Sequence, residues 1–189
     1  MRNLSDQEII DSVRKGNESD YSIIVNRYKN KAFSMLKRML KNEFDAEEVL
    51  QDCFLKAYNS LNSFKGESKF STWFYRIVYN SALTKLSSGK RKTEEEMISL
   101  EEHFNLETEY NANEIEKKDL NRFIKEIITK LPERYSAIIT MFYLNEMTIE
   151  EISEVTQLSV SNVKVMLYRS RNALRDLILK SKLSEELIG

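Results

Sequence analysis

Apolar residues recur along nearly the whole chain at helical spacing. Ser5-Asp6-Gln7-Glu8 has the form of a capping box and Gly16 suits a helix stop, which predicts a short first helix. Tyr21, Ile24, Tyr28, Ala32, Met35, Leu36, Met39 and Leu40 line one face of a second, from about residue 20 to 41. Asp45-Ala46-Glu47-Glu48 opens a third, with Val49, Leu50, Cys53, Phe54, Ala57 and Leu61 facing inward. Lys65-Gly66 interrupts the register, and a fourth helix is predicted over about 71–87. A fifth, about 114–130, carries Ile115, Phe123, Ile124, Ile127 and Ile128. Leu131-Pro132 ends it and starts another, because proline is tolerated in a first turn. The core face of that helix is Ile138, Ile139, Phe142 and Tyr143.

Thr148-Ile149-Glu150-Glu151 is a further capping box before a short helix with Ile152 and Val155. Thr156-Gln157-Leu158-Ser159 forms a turn, and Ser159 caps a last helix from Val160 to about Lys180. Short helix, four-residue turn and long helix make the helix-turn-helix pattern. Val163, Leu167, Leu174 and Ile178 face inward, while Ser161, Lys164, Val165, Tyr168 and Arg169 remain for the other side. Residues 160–182 hold six basic side chains and one acid. A solvated basic helix is common, but in a major groove Lys and Arg reach guanine or phosphate and Val165 can meet a thymine methyl.

Two other stretches break the simple inside-outside pattern. On the third helix the outward stripe is Glu48, Gln51, Asp52 and Leu55, at i, i+3, i+4 and i+7. A lone exposed Leu is ordinary; an acidic stripe with one apolar anchor also suits contact with a partner helix. Residues 64–76 hold five aromatic and three basic residues, and 76–92 hold five basic residues and no acid. Helical register alone assigns Phe74 and Val78 to the core. It does not account for so many rings beside uncompensated cations. Rings stack on unpaired bases and cations follow phosphates. Each such stack is worth roughly 1–3 kcal/mol, against about 1.4 kcal/mol for each base-pair step opened. A few rings therefore suffice to trap a short opened bubble.

Composition narrows the classes. One Pro and four Gly among 189 residues, with 31% charged residues, fit an almost wholly helical chain. No apolar run approaches the roughly 20 residues that span a bilayer, and the N-terminus lacks a signal-peptide apolar region. The single cysteine, Cys53, fits a reducing, cytoplasmic setting and a small core position. The formal charge of −1 conceals nine acids and no Lys or Arg between Thr93 and Glu116, which leaves the rest of the chain at +8 (−1 minus −9). Such a block reads as a solvated linker that repels nucleic acid. There is no phosphate-binding glycine loop and no Cys/His metal spacing, and His103, the sole histidine, lies in the acidic block. Neither an enzyme active site nor a cofactor or metal site is expected.

Together these stretches resemble bacterial sigma factors of the sigma-70 class, in particular the compact two-domain extracytoplasmic-function group, over about residues 4–179. The 45–58 segment is similar to the family's polymerase-binding helix. Phe64 to Asn80 is similar to its promoter-melting and upstream-recognition segment, and 131–164 to the second domain's helix-turn-helix. The resemblance implies an all-α fold of two small helical domains, 1–92 and 114–182, joined by the acidic linker 93–113. It implies a sigma factor with core RNA polymerase, promoter DNA as duplex and as single strand, and in many relatives an anti-sigma factor as partners. Asp45, Glu48, Gln51, Asp52 and Leu55 would dock on polymerase. The Phe64–Phe70 loop, with Ser68 and Lys69, would take a flipped base of the minus-ten element, and Trp73, Arg76 and Asn80 would hold the non-template strand. Ser161, Asn162, Lys164, Val165, Tyr168 and Arg169 would read the minus-thirty-five element. The linker would thread polymerase channels. Gln157 stands where the family usually has Gly, Met166 and Tyr79 where it often has Arg, and Thr84 where it often has Asp; these differences bear on promoter preference. A stand-alone helix-turn-helix regulator that binds duplex only is the main rival, and a helical protein-interaction module the second.

Overall fold

The computed structural model describes residues 4–96 and 117–188, with side chains described over 4–88 and 123–181. Its described residues form eight α-helices: α1 (Asp6–Arg14), α2 (Tyr21–Leu40), α3 (Glu43–Asn59), α4 (Phe70–Glu96), α5 (Lys117–Lys130), α6 (Glu133–Ile139), α7 (Ile149–Thr156) and α8 (Val160–Ile188). The chain is all-α, as its periodicity predicts. Most of the acidic block, including His103 and Ile115, falls outside the described residues.

Local chemistry sets most boundaries. Ser5 and Glu8 form the expected capping box at α1, and Thr148 and Glu151 form the one at α7. Gly16 ends the first unit with φ +102°, a conformation that Cβ disfavours in other residues. The third helix starts two residues before the predicted point, because Asn42 rather than Asp45 caps it: the Asn42 side chain accepts from the Asp45 N–H at 3.1 Å. Replacing Asn42 with Ala is expected to cost about 1 kcal/mol. That should appear as a melting temperature lower by about 2–4 °C in a thermal circular-dichroism scan. An unchanged melting curve would mean that water caps α3 equally well.

The fourth helix continues through Glu96, nine residues beyond prediction and into the acidic block. After α6 the chain widens into a π turn, Thr140–Leu144, which the 3.6-residue pattern does not signal. That turn rotates Tyr143 outward to 50% exposure, which corrects its assignment to the core, while Ile138 and Ile139 are buried and Phe142 is half-buried.

The first four helices pack around Phe54, Phe74, Met35, Leu36 and Cys53. Burial pushes the Cys53 thiol up to about 11, as befits a small core residue. The second group buries Leu131, Ile138, Ile139, Ile152, Val155 and Val163. These two predicted domains are not held apart: α6 packs on α2, α7 packs on α4, and the apolar core is continuous across both.

Candidate nucleic-acid interface

The loop before α4 is built from the inside outward. Arg14 of α1 donates to the Leu61 carbonyl at 2.7 Å and also to the Phe64 carbonyl, which anchors the loop's entry. Gly66 then turns the chain at φ +73°. Phe64 and Phe70 are 5% and 3% exposed, their rings edge to face at 5.7 Å. Phe70 also packs against Tyr28 and Phe74. This corrects the expectation that these two rings take up a base. Their faces are spent on the core, where they join Leu61, Tyr28 and Phe74. Ser68 is half-buried and Lys69 exposed, so the loop offers a polar and cationic surface on an aromatic foundation.

Trp73 is half-buried, with its ring 5.1 Å from Phe64 and 5.5 Å from Phe70. It is the one candidate ring of this segment that retains an open portion. Arg76 and Asn80 are exposed one and two turns along. Lys69, Thr72, Arg76 and Tyr79 follow one another at i, i+3, i+7 and i+10 and so share a face of α4.

α7 packs against that face, burying Thr72 and Tyr79 while Lys69 and Arg76 stay exposed at its edge. Lys69 Nζ lies 2.8 Å from Glu151 Oε1. The second oxygen of the same carboxylate accepts from the Thr148 N–H at 2.8 Å, closing the α7 capping box. Burial alone would raise the Glu151 carboxyl. Hydrogen bonds from Lys69 and from the Thr148 backbone outweigh that and hold it below the usual carboxylate range. At the other end of α7, Gln157 adopts φ 59°, ψ 24°. With its amide oxygen turned to Arg76, it accepts from Arg76 Nε at 3.1 Å and from Nη2. Thr72, between the two cations, is 2% exposed.

On α3 the stripe predicted from spacing is outward. Gln51, Asp52 and Leu55 are exposed, Leu55 at 61%. Asp45 and Glu48 are not free: Lys85 of α4 lies 3.1 Å from Asp45 Oδ1 and 2.7 Å from Glu48 Oε2. Asp52 has no ion pair among the described residues. Sequence reasoning missed Phe44, which is 77% exposed and lies one turn before Glu48 on the same stripe. Its signal was available as the apolar position i−4 from that stripe's first residue.

On α8, Ser159 accepts from the Asn162 N–H at 3.2 Å and caps the helix. Val163, Leu167 and Ser170 are buried. Ser161, Asn162, Lys164, Val165, Tyr168 and Arg169 are all exposed, with Tyr168 at 65%. Leu174 and Ile178, expected in the core, are half-buried. A cation the sequence reading left aside, Arg171, donates to the Tyr143 hydroxyl at 2.7 Å and stands over the Phe142 and Tyr143 rings. Among the described residues no group of His, Cys, Asp and Glu could hold a metal, and no helix is long and apolar enough to cross a membrane.

Comparison with known proteins finds two matched segments. The family model for sigma-70 region 2 matches residues 24–92, and that for sigma-70 region 4 matches 124–174. The ECF RNA polymerase sigma-E factor of Haemophilus influenzae is 32% identical over 182 residues, covering 93% of this chain and 96% of the relative. The ECF sigma factor SigW of Bacillus subtilis is 32% identical over 176 residues, covering 88% and 92%. Among solved structures, the sigma factor RpoE of Bartonella quintana, in complex with the anti-sigma factor NepR, has a TM-score of 0.65. It is 16% identical, with 84% of this chain and 96% of that one covered, and it bears on the fold alone.

Proposed function

Because this chain belongs to the ECF group of sigma-70-type RNA polymerase sigma factors, we propose a residue-level account of how it directs polymerase to promoters. The chain binds core RNA polymerase and promoter DNA, and its contribution is recognition; covalent chemistry belongs to the polymerase, and the work is done in the cytoplasm. An anti-sigma factor is a fitting inhibitor, as in the complex with NepR.

In this reading α3 docks on polymerase through Gln51, Asp52 and Leu55, with Phe44 extending the stripe and with Asp45 and Glu48 oriented by Lys85. Trp73, Arg76, Asn80, Ser68 and Lys69 hold the unpaired minus-ten strand, supported from beneath by Phe64 and Phe70. Thermal opening of the duplex is trapped by stacking and charge. Ser161, Asn162, Lys164, Val165, Tyr168 and Arg169 enter the major groove at the minus-thirty-five element. The observation that carries the reading is that one chain holds an exposed acidic-apolar stripe on α3 and an exposed basic-aromatic face on α8. A stand-alone duplex regulator has no use for the first. Run-off transcription with purified core polymerase and a genomic promoter pool is the direct test: discrete start sites appear only when this chain is added. No chain-dependent transcript, with dimeric binding to duplex alone, would favour the rival.

Replacing Arg169 with Ala is expected to weaken minus-thirty-five duplex binding by at least about 1 kcal/mol and relax preference at one base pair. Fluorescence anisotropy on a set of singly substituted duplexes measures both. A uniform loss on every duplex would make Arg169 a phosphate contact instead.

A further inference from the structure

We infer that Arg14 of α1 is a positioning residue for base selection: by tying the carbonyls at the entry of the 65–69 loop it holds that loop in a shape that selects a base, without touching the strand itself. This rests on the strand-capture reading of the loop and α4.

One face of α1 lies along the loop. Gln7, Asp11 and Arg14 follow one another at i, i+4 and i+7 and so share that face. Gln7 donates to Asp11 Oδ1 at 2.9 Å, and the same oxygen lies 3.7 Å from Arg14 Nη1. The other terminal nitrogen, Nη2, is the one that donates to the Leu61 and Phe64 carbonyls. One side of the guanidinium fork is therefore steadied by α1 while the other grips the loop. At the far end of the stripe, a Cβ on Gly66 would stand 3.7 Å from Gln7 Oε1, so Gln7 flanks the turn of the loop.

These carbonyls matter because little else shapes the loop. Leu61–Ser63 is a short 3-10 turn, closed by the Phe64 N–H donating to the Leu61 carbonyl at 3.2 Å. Such a turn is a weak element by itself. Phe64 leaves it with extended backbone, φ −69°, ψ 110°. Burial of the Phe64 ring fixes where that residue sits, and the tie to its carbonyl fixes which way the next peptide points. At the exit, Phe70 is buried and the Trp73 N–H donates to the Lys69 carbonyl at 3.1 Å. Between the two ends Lys65, Gly66 and Glu67 are exposed, and no hydrogen bond ties them among the described residues. The loop inherits its shape from its ends, and the entry end depends on Arg14. Reading a flipped base requires groups held against its edge. A loop already held in the bound shape is spared the ordering cost. A loop freed at its entry adapts to any base, so losing the tie should cost selectivity more than grip.

The test uses core RNA polymerase reconstituted with the full chain, wild type or Arg14→Ala. Ala is the strongest helix former, so α1 should keep its helix, which circular dichroism checks. The probe is a fully randomised pool of single-stranded DNA, with core polymerase alone as the blank. Sequencing the retained strands gives the base preference, and anisotropy of the labelled pool gives affinity. With wild type, one base at the most selective position should be enriched at least about fivefold, the low end for a good base-edge contact. With Arg14→Ala that enrichment should fall below about twofold, while pool affinity changes by less than about threefold because Trp73 and the cations remain. Asn42→Ala loosens the opposite end of α3, a helix about 25 Å long, and should leave the enrichment at its wild-type value. Wild-type enrichment in Arg14→Ala would overturn the inference. So would an equal loss in Asn42→Ala, which would make the effect one of general stability. A salt slope of pool affinity shallower by about 0.7 in Arg14→Ala would also overturn it, making Arg14 a phosphate contact. No base preference with the wild-type chain would instead overturn the strand-capture reading, and this inference with it.

Discussion

Asp52→Arg is expected to abolish co-purification with core RNA polymerase while leaving the chain folded. Asp52 is exposed in the middle of α3, three residues before Leu55, and no described residue forms an ion pair with it. A substitution at such a position ordinarily moves stability by no more than about 0.5 kcal/mol. At an interface the same change acts differently. A lost pair there costs about 2–5 kcal/mol, and inverting the charge adds repulsion from whatever cation faced it. The expected weakening is at least about a hundredfold, near 3 kcal/mol, read by pull-down and by titration of labelled protein with core enzyme. Glu48→Gln is the instructive contrast. Its carboxylate is shared with Lys85, so part of any effect would come from loosening α3 against α4 and should appear as a lower melting temperature. Wild-type polymerase binding by Asp52→Arg would remove α3 as the docking surface.

How much of this was legible beforehand depended on whether a feature is local. The capping boxes at Ser5 and Thr148 involve residues three apart, and the outward register of Lys164, Tyr168 and Arg169 follows from Val163 and Leu167 being buried. Such patterns are written within one or two turns. The start of α3 was misjudged because Asn42 and Asp45 are both good caps, and the choice between them is made by where the chain leaves α2, at Lys41 with φ 56°. Tyr143 was misplaced because a π turn shifts the register, and nothing in apolar spacing announces one. Phe64 and Phe70 looked like bait for bases because aromatic residues beside lysines are ambiguous in sequence. Phe70 is buried against Tyr28, whose ring lies 5.6 Å from it although 42 residues away in the chain, and Phe64 packs in turn on Phe70. The contacts of Lys69 with Glu151 and of Arg76 with Gln157 were out of reach for the same reason, since they join segments separated by the whole acidic block.

Trp73→Ala carries the other large expected effect, and its structural position makes the experiment discriminating. The indole rests on Phe64 and Phe70 on one side and is half-exposed on the other, so the residue combines support with a free surface. Truncation should lower the melting temperature through lost packing. It should also remove one base stack, worth roughly 1–3 kcal/mol. If Trp73 traps opened bases, transcription from a duplex promoter should fall by about thirtyfold, near 2 kcal/mol. A promoter mismatched across the minus-ten region, already open, should lose less than about threefold, because the opening that the stack would trap is supplied by the template. Trp73→Phe keeps a ring and should retain most activity on both. The comparison isolates strand capture from packing, since a weakened core penalises both templates alike. Equal loss on the two would assign Trp73 to the foundation of the loop together with Phe64 and Phe70, and strand capture would then fall to Arg76, Asn80 and Lys69 alone.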